Sequence, residues 1–281
     1  MIPENVTGPI SGHAEGPVWW SGWGGLRWVD GYAGDLLTLR GDGIHRLHID
    51  DEYAAFVRPR TSGGFAAFGA RTLYLSDSAD GPATAAGGFA LGAARFNDGC
   101  ADQDGRLLPG TMAASDAGAA GRLLRIGSDL STSTILSDVT VSNGLAFSPD
   151  GSVAYYVDTA TGRVDRFDVV DGELMGRRPF VQIDDGDGSP DGLTVAADGS
   201  VWVALWGGSA VHGYDAGGRL LERVPLPVDQ VSACTFGADD LGTLFITTSA
   251  QDMGHDHGTE AGSVFSIRLG VTGMPVMPFA G

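Results

Sequence analysis

The sequence predicts an all-β protein folded as a six-bladed β-propeller. Short stretches such as "RTLYLSD", "SVAYYVDT", "SVWVALW" and "TLFITTS" have the length of strands, are rich in β-branched and aromatic residues, and are closed by Gly, Asp, Ser or Asn. Helical periodicity is almost absent. The 45 glycines and 13 prolines are spread along the whole chain, as many tight turns require. Six units recur at a spacing of about 35 to 50 residues, the range in which propeller blades repeat.

The units are clearest in the second half. "SNGLAFSPDGSVAYYVDTATGRVDRFDV" from Ser142 lines up with "PDGLTVAADGSVWVALWGGSAVHGYDAGG" from Pro190. Each has a polar-Gly-Leu opening, an apolar strand, an Asp-Gly hairpin, a second strand, a Gly-containing turn and a third strand ending in aromatic-Asp. Weaker copies begin near Glu15 ("EGPVWW"), Thr61 ("TSGGFAAFGARTLYLSD"), Asn97 ("NDGCADQDGRLLPGTM") and Val231 ("VSACTFGADDLGTLFITTS"). No composition shift marks a boundary, so residues 1–281 are expected to form one domain.

Composition removes several function classes. The net charge of −18 arises from 35 acidic against 17 basic residues, and every basic residue is arginine. That acidity disfavours nucleic acid and anionic membrane partners. Without lysine there is no Walker A loop and no Schiff-base chemistry. Cys100 and Cys234 read as two unpaired thiols rather than a disulfide framework. The N-terminal "MIPENVTGPISGHAEGPVWW" lacks the basic and apolar regions of a signal peptide, and no apolar run reaches the roughly 18 residues of a membrane span. These features predict a cytoplasmic protein, monomeric or weakly oligomeric.

In a propeller the polar-Gly pair opening each unit leads into the innermost strand, so these pairs converge on the channel at one end. In order they are Glu15-Gly16, Ser62-Gly63, Asn97-Asp98-Gly99, Asn143-Gly144, Asp191-Gly192 and Ser232. Buried carboxylates must pair with arginine, take up a proton or hold a cation. Arg95 and Arg60 are the basic residues close in sequence, and a divalent cation is the more economical partner for a ring of Glu, Asn and Asp oxygens. An all-oxygen set of this kind suits Ca²⁺, Mg²⁺ or Mn²⁺, and Zn²⁺ accepts Asp and Glu as well.

Taken together, "EGPVW" at Glu15, "RFNDGCADQDGRLLPGTM" at Arg95, "SNGLAFSPDGSVAYYVDT" at Ser142, "PDGLTVAADGSVWVA" at Pro190, "LPVDQVSACTFG" at Leu226 and the ending "VTGMPVMPFAG" carry a resemblance. The chain resembles the gluconolactonase, regucalcin (senescence marker protein) and luciferin-regenerating-enzyme family from about residue 13 onward. The resemblance implies one catalytic divalent metal at the channel mouth, with Glu15, Asn143 and Asp191 as ligands and Asp191 also as proton donor and acceptor. It implies Arg95 and Asn97 as substrate-binding residues, and a small-molecule sugar lactone as substrate, opened to the aldonic acid. Ser115 stands where better-studied members carry a glutamate three residues after the Met of "GTM". This substrate-side departure leads us to expect a pentonolactone, or a bulkier or less hydroxylated lactone, in place of a glucose-derived one. An aryl-ester or phosphotriester hydrolase is the nearest variant, and a non-catalytic scaffold with a structural ion is the reading from another class.

Other signals are set aside. His255 and His257 in "GHDHG" read as solvent-facing residues of a glycine-rich loop. "DDGDGSPDG" begins like a calcium loop, but Pro190 and Ala196 stand where an EF-hand needs Gly and Glu. Neither G-x-S-x-G nor H-E-x-x-H occurs. Trp206, just past a second strand, is placed to form a channel wall.

Overall fold

A computed structural model describes every residue except 1, 114–117 and 254–259, so the sequence-flagged Ser115, His255 and His257 lie outside the described residues. The chain forms six four-stranded antiparallel sheets, and the described residues contain no α-helix. Five sheets take four consecutive strands each, spanning 14–48, 56–88, 95–139, 142–182 and 189–225. The sixth takes its three inner strands from 231–268 and its outermost strand, Glu4–Asn5, from the other end of the chain. Pairing of Glu4 with Ser266 and Asn5 with Phe265 closes the ring, and the Asn5 amide donates to Glu260 Oε1 at 3.0 Å. The first strand of each blade packs on the first strand of the next all the way around, which makes the fold a six-bladed β-propeller.

Sheets covered on both faces by neighbouring blades explain the sequence pattern. Val201–Trp206, "VWVALW", is buried along nearly its whole length, whereas the outermost strand Leu220–Pro225 buries only Val224. The core therefore lies in wedges between blades. Phe56 stacks on Phe68 at 4.5 Å, and Phe68 meets Phe96 of the next blade edge-on at 4.8 Å.

The blade-two expectation needs correction. Its innermost strand is Phe56–Pro59, and "TSGG" is the hairpin turn into the second strand, Phe65–Phe68. Gly63 and Gly64 take φ of +98° and +68°, the left-handed region that such a turn demands. Ser62-Gly63 therefore does not open a blade. Arg60 likewise points elsewhere: it donates to the Gly281 and Ser76 carbonyls and pairs with Asp77.

The C-terminal segment straps one end of the channel. It bridges from Gly273 to Ala196, and Phe279 exchanges backbone bonds with Pro59 (2.7 Å) and Thr61 (2.8 Å). Met274 and Met277 from this strap, with Arg58, Cys100 and Cys234, line a cavity of about 130 Å³.

Candidate active site at the channel mouth

The polar-Gly pairs coincide with irregularities in strand pairing. Pairing between the first and second strands shifts register between Glu15 and Val18, Phe96 and Gly99, Ser142 and Leu145, Pro190 and Leu193, and Val231 and Ala233. Blade two, which lacks the pair, has no such shift. A bulge re-aims a side chain out of the strand's alternation. Two glycines show why the neighbouring residue must be small. Gly16 sits at φ +54°, and a Cβ on Gly144 would stand 2.5 Å from the Leu193 nitrogen and 2.9 Å from the Asp191 carbonyl of the next blade.

Glu15, Asp98, Asn143 and Asp191 are all buried. Glu15 Oε2 accepts from the Gly16 amide and Asp98 Oδ1 from the Gly99 amide, each at 2.7 Å. Burial raises the Glu15 pKa above the ordinary carboxylate range, and the Asp98 charge raises it further. Asp191 is pushed well up by burial and then by Glu15 and Asp98. Asp98 is raised by burial, opposed by the Arg58 guanidinium 4.0 Å away. Glu15 and Asp191 thus feel the charge of Asp98, and neither Glu15 nor Asp191 forms a salt bridge among the described residues.

A hydrogen-bond relay crosses three blades. Arg95 Nη1 donates to Asn97 Oδ1 at 2.9 Å; Asn97 Nδ2 donates to Asn143 Oδ1 at 3.1 Å; Asn143 Nδ2 donates to Thr159 Oγ1 at 2.8 Å; and Thr159 Oγ1 donates to the Pro190 carbonyl at 2.9 Å. The relay ends beside Asp191. Arg95, Asn97 and Asn143 are thereby brought together, and Arg95 adds charge to the environment of Glu15.

Sequence reasoning missed a set of rings on the same side. The Arg95 guanidinium lies 3.9 Å from the centre of the Tyr53 ring, and Tyr32 meets Tyr53 edge-on at 5.3 Å. Burial raises the Tyr53 pKa, with Arg95 opposing and Glu15 and Asp191 adding to the rise. His13 packs against Tyr32 at 5.4 Å and against Trp206, the last residue of the strand Val201–Trp206, at 6.0 Å. Burial, helped by the Arg95 charge, pulls the His13 pKa down to about 4, so the ring is neutral at pH 7. Its Nδ1 lies 2.9 Å from Ser249 Oγ. His13 stands two residues before Glu15, the only sequence signal that pointed to it.

Glu15, Asn143 and Asp191 fit a hard divalent cation by donor chemistry: two buried carboxylates without a salt-bridge partner among the described residues, and an amide oxygen that keeps a second lone pair after accepting from Asn97. Among the described residues no three side chains of the His, Cys, Asp and Glu types are grouped to hold an ion. This set contains only two of them.

The profile of the SMP-30/Gluconolactonase/LRE-like region matches residues 13–250. The chain is 33% identical over 271 residues to the pentonolactonase XacC of Haloferax volcanii, covering 93% of this chain and 92% of that one. A solved luciferin-regenerating enzyme superposes with a TM-score of 0.85 at 27% identity, covering 99% of this chain and 100% of its own. A calcium-binding regucalcin from Agrobacterium tumefaciens superposes with a TM-score of 0.89 over 96% of this chain and 94% of its own; at 24% identity that likeness bears on the fold alone.

Proposed function

The chain belongs to the SMP-30/gluconolactonase/LRE-like family, and from that premise we propose that it is a divalent-metal-dependent lactonase opening a sugar lactone to its aldonic acid. The observation that carries this reading is the burial of Glu15 and Asp191, with the Glu15 charge raising the Asp191 pKa, together with the buried Asn143 amide and no salt-bridge partner for either carboxylate among the described residues. Glu15, Asn143 and Asp191 would hold the cation. When bound, it supplies polarisation of the lactone carbonyl and acidification of a water.

The chain's own residues do the rest. Asp191, at the end of the relay, takes a proton from the attacking water and returns it to the ring oxygen as the acyl–oxygen bond breaks, so that lactone plus water gives the hydroxy acid. Arg95 keeps donors beyond those it spends on Phe96 and Asn97, and these bind ring hydroxyls or the developing oxyanion. The Tyr53 ring, stacked on the guanidinium, restricts its motion. The pentonolactonase relative supports an aldonolactone as the substrate class.

The test is acid release from a panel of aldonolactones, followed by pH indicator, before and after chelation. Turnover should disappear with the metal and return on its addition, while the β-sheet circular dichroism persists, because blade-to-blade packing supplies a core independent of the ion. Absence of turnover on every lactone and activated ester with Ca²⁺, Mg²⁺, Mn²⁺ or Zn²⁺ present would leave a scaffold with a structural ion.

A further inference from the structure

A cavity of about 460 Å³ lies beside Arg95. That is larger than a single lactone ring requires and falls in the range of drug-sized ligand sites. Arg95 lines it, with the Tyr53 ring against its guanidinium, and the rest of the apolar lining is Tyr32, Ala70, Ala93, Met112 and Ala113. Glu52 and Arg71 line it as well, and both are exposed. Tyr32 is 54% exposed, a large ring with His13 and Tyr53 as its aromatic neighbours among the described residues.

A polyhydroxylated arm laid against these methyl groups and rings would lose water without regaining its hydrogen bonds. An alkyl or aryl arm loses nothing of that kind and gains burial. We propose that this cavity is a subsite for an apolar exocyclic arm, so that the preferred substrate is a ring-hydroxylated lactone carrying an alkyl or aryl substituent. The ring hydroxyls meet Arg95 and Asn97, and the arm lies between Tyr32 and Ala93. This rests on the lactonase reading above and deepens it by naming the substrate class.

The experiment measures kcat/KM for γ-lactones whose ring hydroxyls are kept while the exocyclic arm is hydrogen, methyl, butyl, dihydroxyethyl or carboxymethyl. For the apolar arms kcat/KM should rise with length, by up to about fourfold per methylene, and the dihydroxyethyl and carboxymethyl arms should fall below butyl. Ala93→Trp fills the cavity from an exposed position and should flatten the rise while turnover of the armless lactone stays within about twofold. Tyr32→Ala, which removes an exposed ring, should reduce the rise by a different route. A flat response to apolar arms in the wild type, with the armless lactone turned over, would overturn the subsite and leave the lactonase intact. A rise that survives both variants would overturn its location, and a preference for the carboxymethyl arm would assign the cavity to Arg71 and an anionic substituent. Loss of turnover on every member of the series would instead refute the lactonase reading itself.

Discussion

Asp158 offers a quantitative test of how the fold positions the site. It ends the strand Val153–Asp158, is 4% exposed, and makes no salt bridge among the described residues. Its Oδ1 accepts from the Val141 amide at 3.0 Å, and its Oδ2 from the Thr140 amide at 3.1 Å. Those amides immediately precede Ser142–Phe147, the strand that carries Asn143. Asp30 does the same in blade one, accepting from the Gly12 and His13 amides at 3.0 Å just before the strand that carries Glu15. Asp158→Ala leaves two backbone donors without their partner at a cost of about 1–3 kcal/mol each. Both residues are only half-buried, so water recovers part of that, and about 2–3 kcal/mol in total is expected. In a domain of this size the loss corresponds to a fall in Tm of roughly 4–12 °C. Asp158→Asn keeps one acceptor oxygen and should lose about half as much. Thermal melts by circular dichroism measure the shift, and lactone turnover well below Tm should also fall because Asn143 is no longer fixed. An Asp158→Ala protein melting within about 1 °C of wild type, with unchanged turnover, would refute the idea that this carboxylate positions the Asn143 strand.

Asp191→Asn and Asp191→Ala should each lower kcat by about 10²- to 10⁴-fold, far more than Arg95→Ala, whose effect should fall mainly on KM; steady-state kinetics on the best lactone decide, and a deader Arg95→Ala would reverse the assigned roles. Tyr53→Leu, which removes the ring 3.9 Å from the Arg95 guanidinium, should raise KM by roughly twofold to tenfold, whereas Tyr53→Phe keeps the ring and should leave KM near wild type. Gly144→Ala brings a Cβ to 2.5 Å from the Leu193 nitrogen and should cost about 1–3 kcal/mol of stability by overpacking, read as a lower denaturant midpoint with reduced kcat.

The fold was legible where local chemistry and the repeat agreed. "SVAYYVDT", "SVWVALW" and "TLFITTS" contain the second strands Val153–Asp158, Val201–Trp206 and Thr243–Thr248, and the hairpins before them fixed the register of the units. Blade two broke the pattern because its inner strand, "FVRP", has a proline and an arginine and no polar-Gly opening. The stronger signal, "TSGG", belonged to the following turn, and reading it as the blade's start moved the strand order by one. The closing strand Glu4–Asn5 is two residues long and is held by partners more than 250 residues away. No periodicity can announce such an element, because its stability comes from the sheet it completes.

The same division explains the site. Glu15, Asn97, Asn143 and Asp191 were visible because each lies in the polar-Gly segment at the head of its unit, and the repeat alone brings those segments to one end of a channel. Tyr53 and Tyr32 come from connections: one lies between blades one and two, the other in the turn Gly31–Ala33 within blade one. Connections follow no repeat, so a tyrosine there looks like any surface residue until the ring places it over Arg95. Arg58 escaped notice for a related reason. It lies on the misassigned strand, yet it is the guanidinium beside Asp98, whereas Arg60, closer to the expected blade opening, serves the C-terminal strap. What the repeat encodes is therefore the set of polar side chains at Glu15, Asn97, Asn143 and Asp191. The rings beside that set follow no repeat: Tyr53 comes from the connection between blades one and two and Tyr32 from a turn within blade one, and on the lactonase reading proposed above they would bear on which substrate fits.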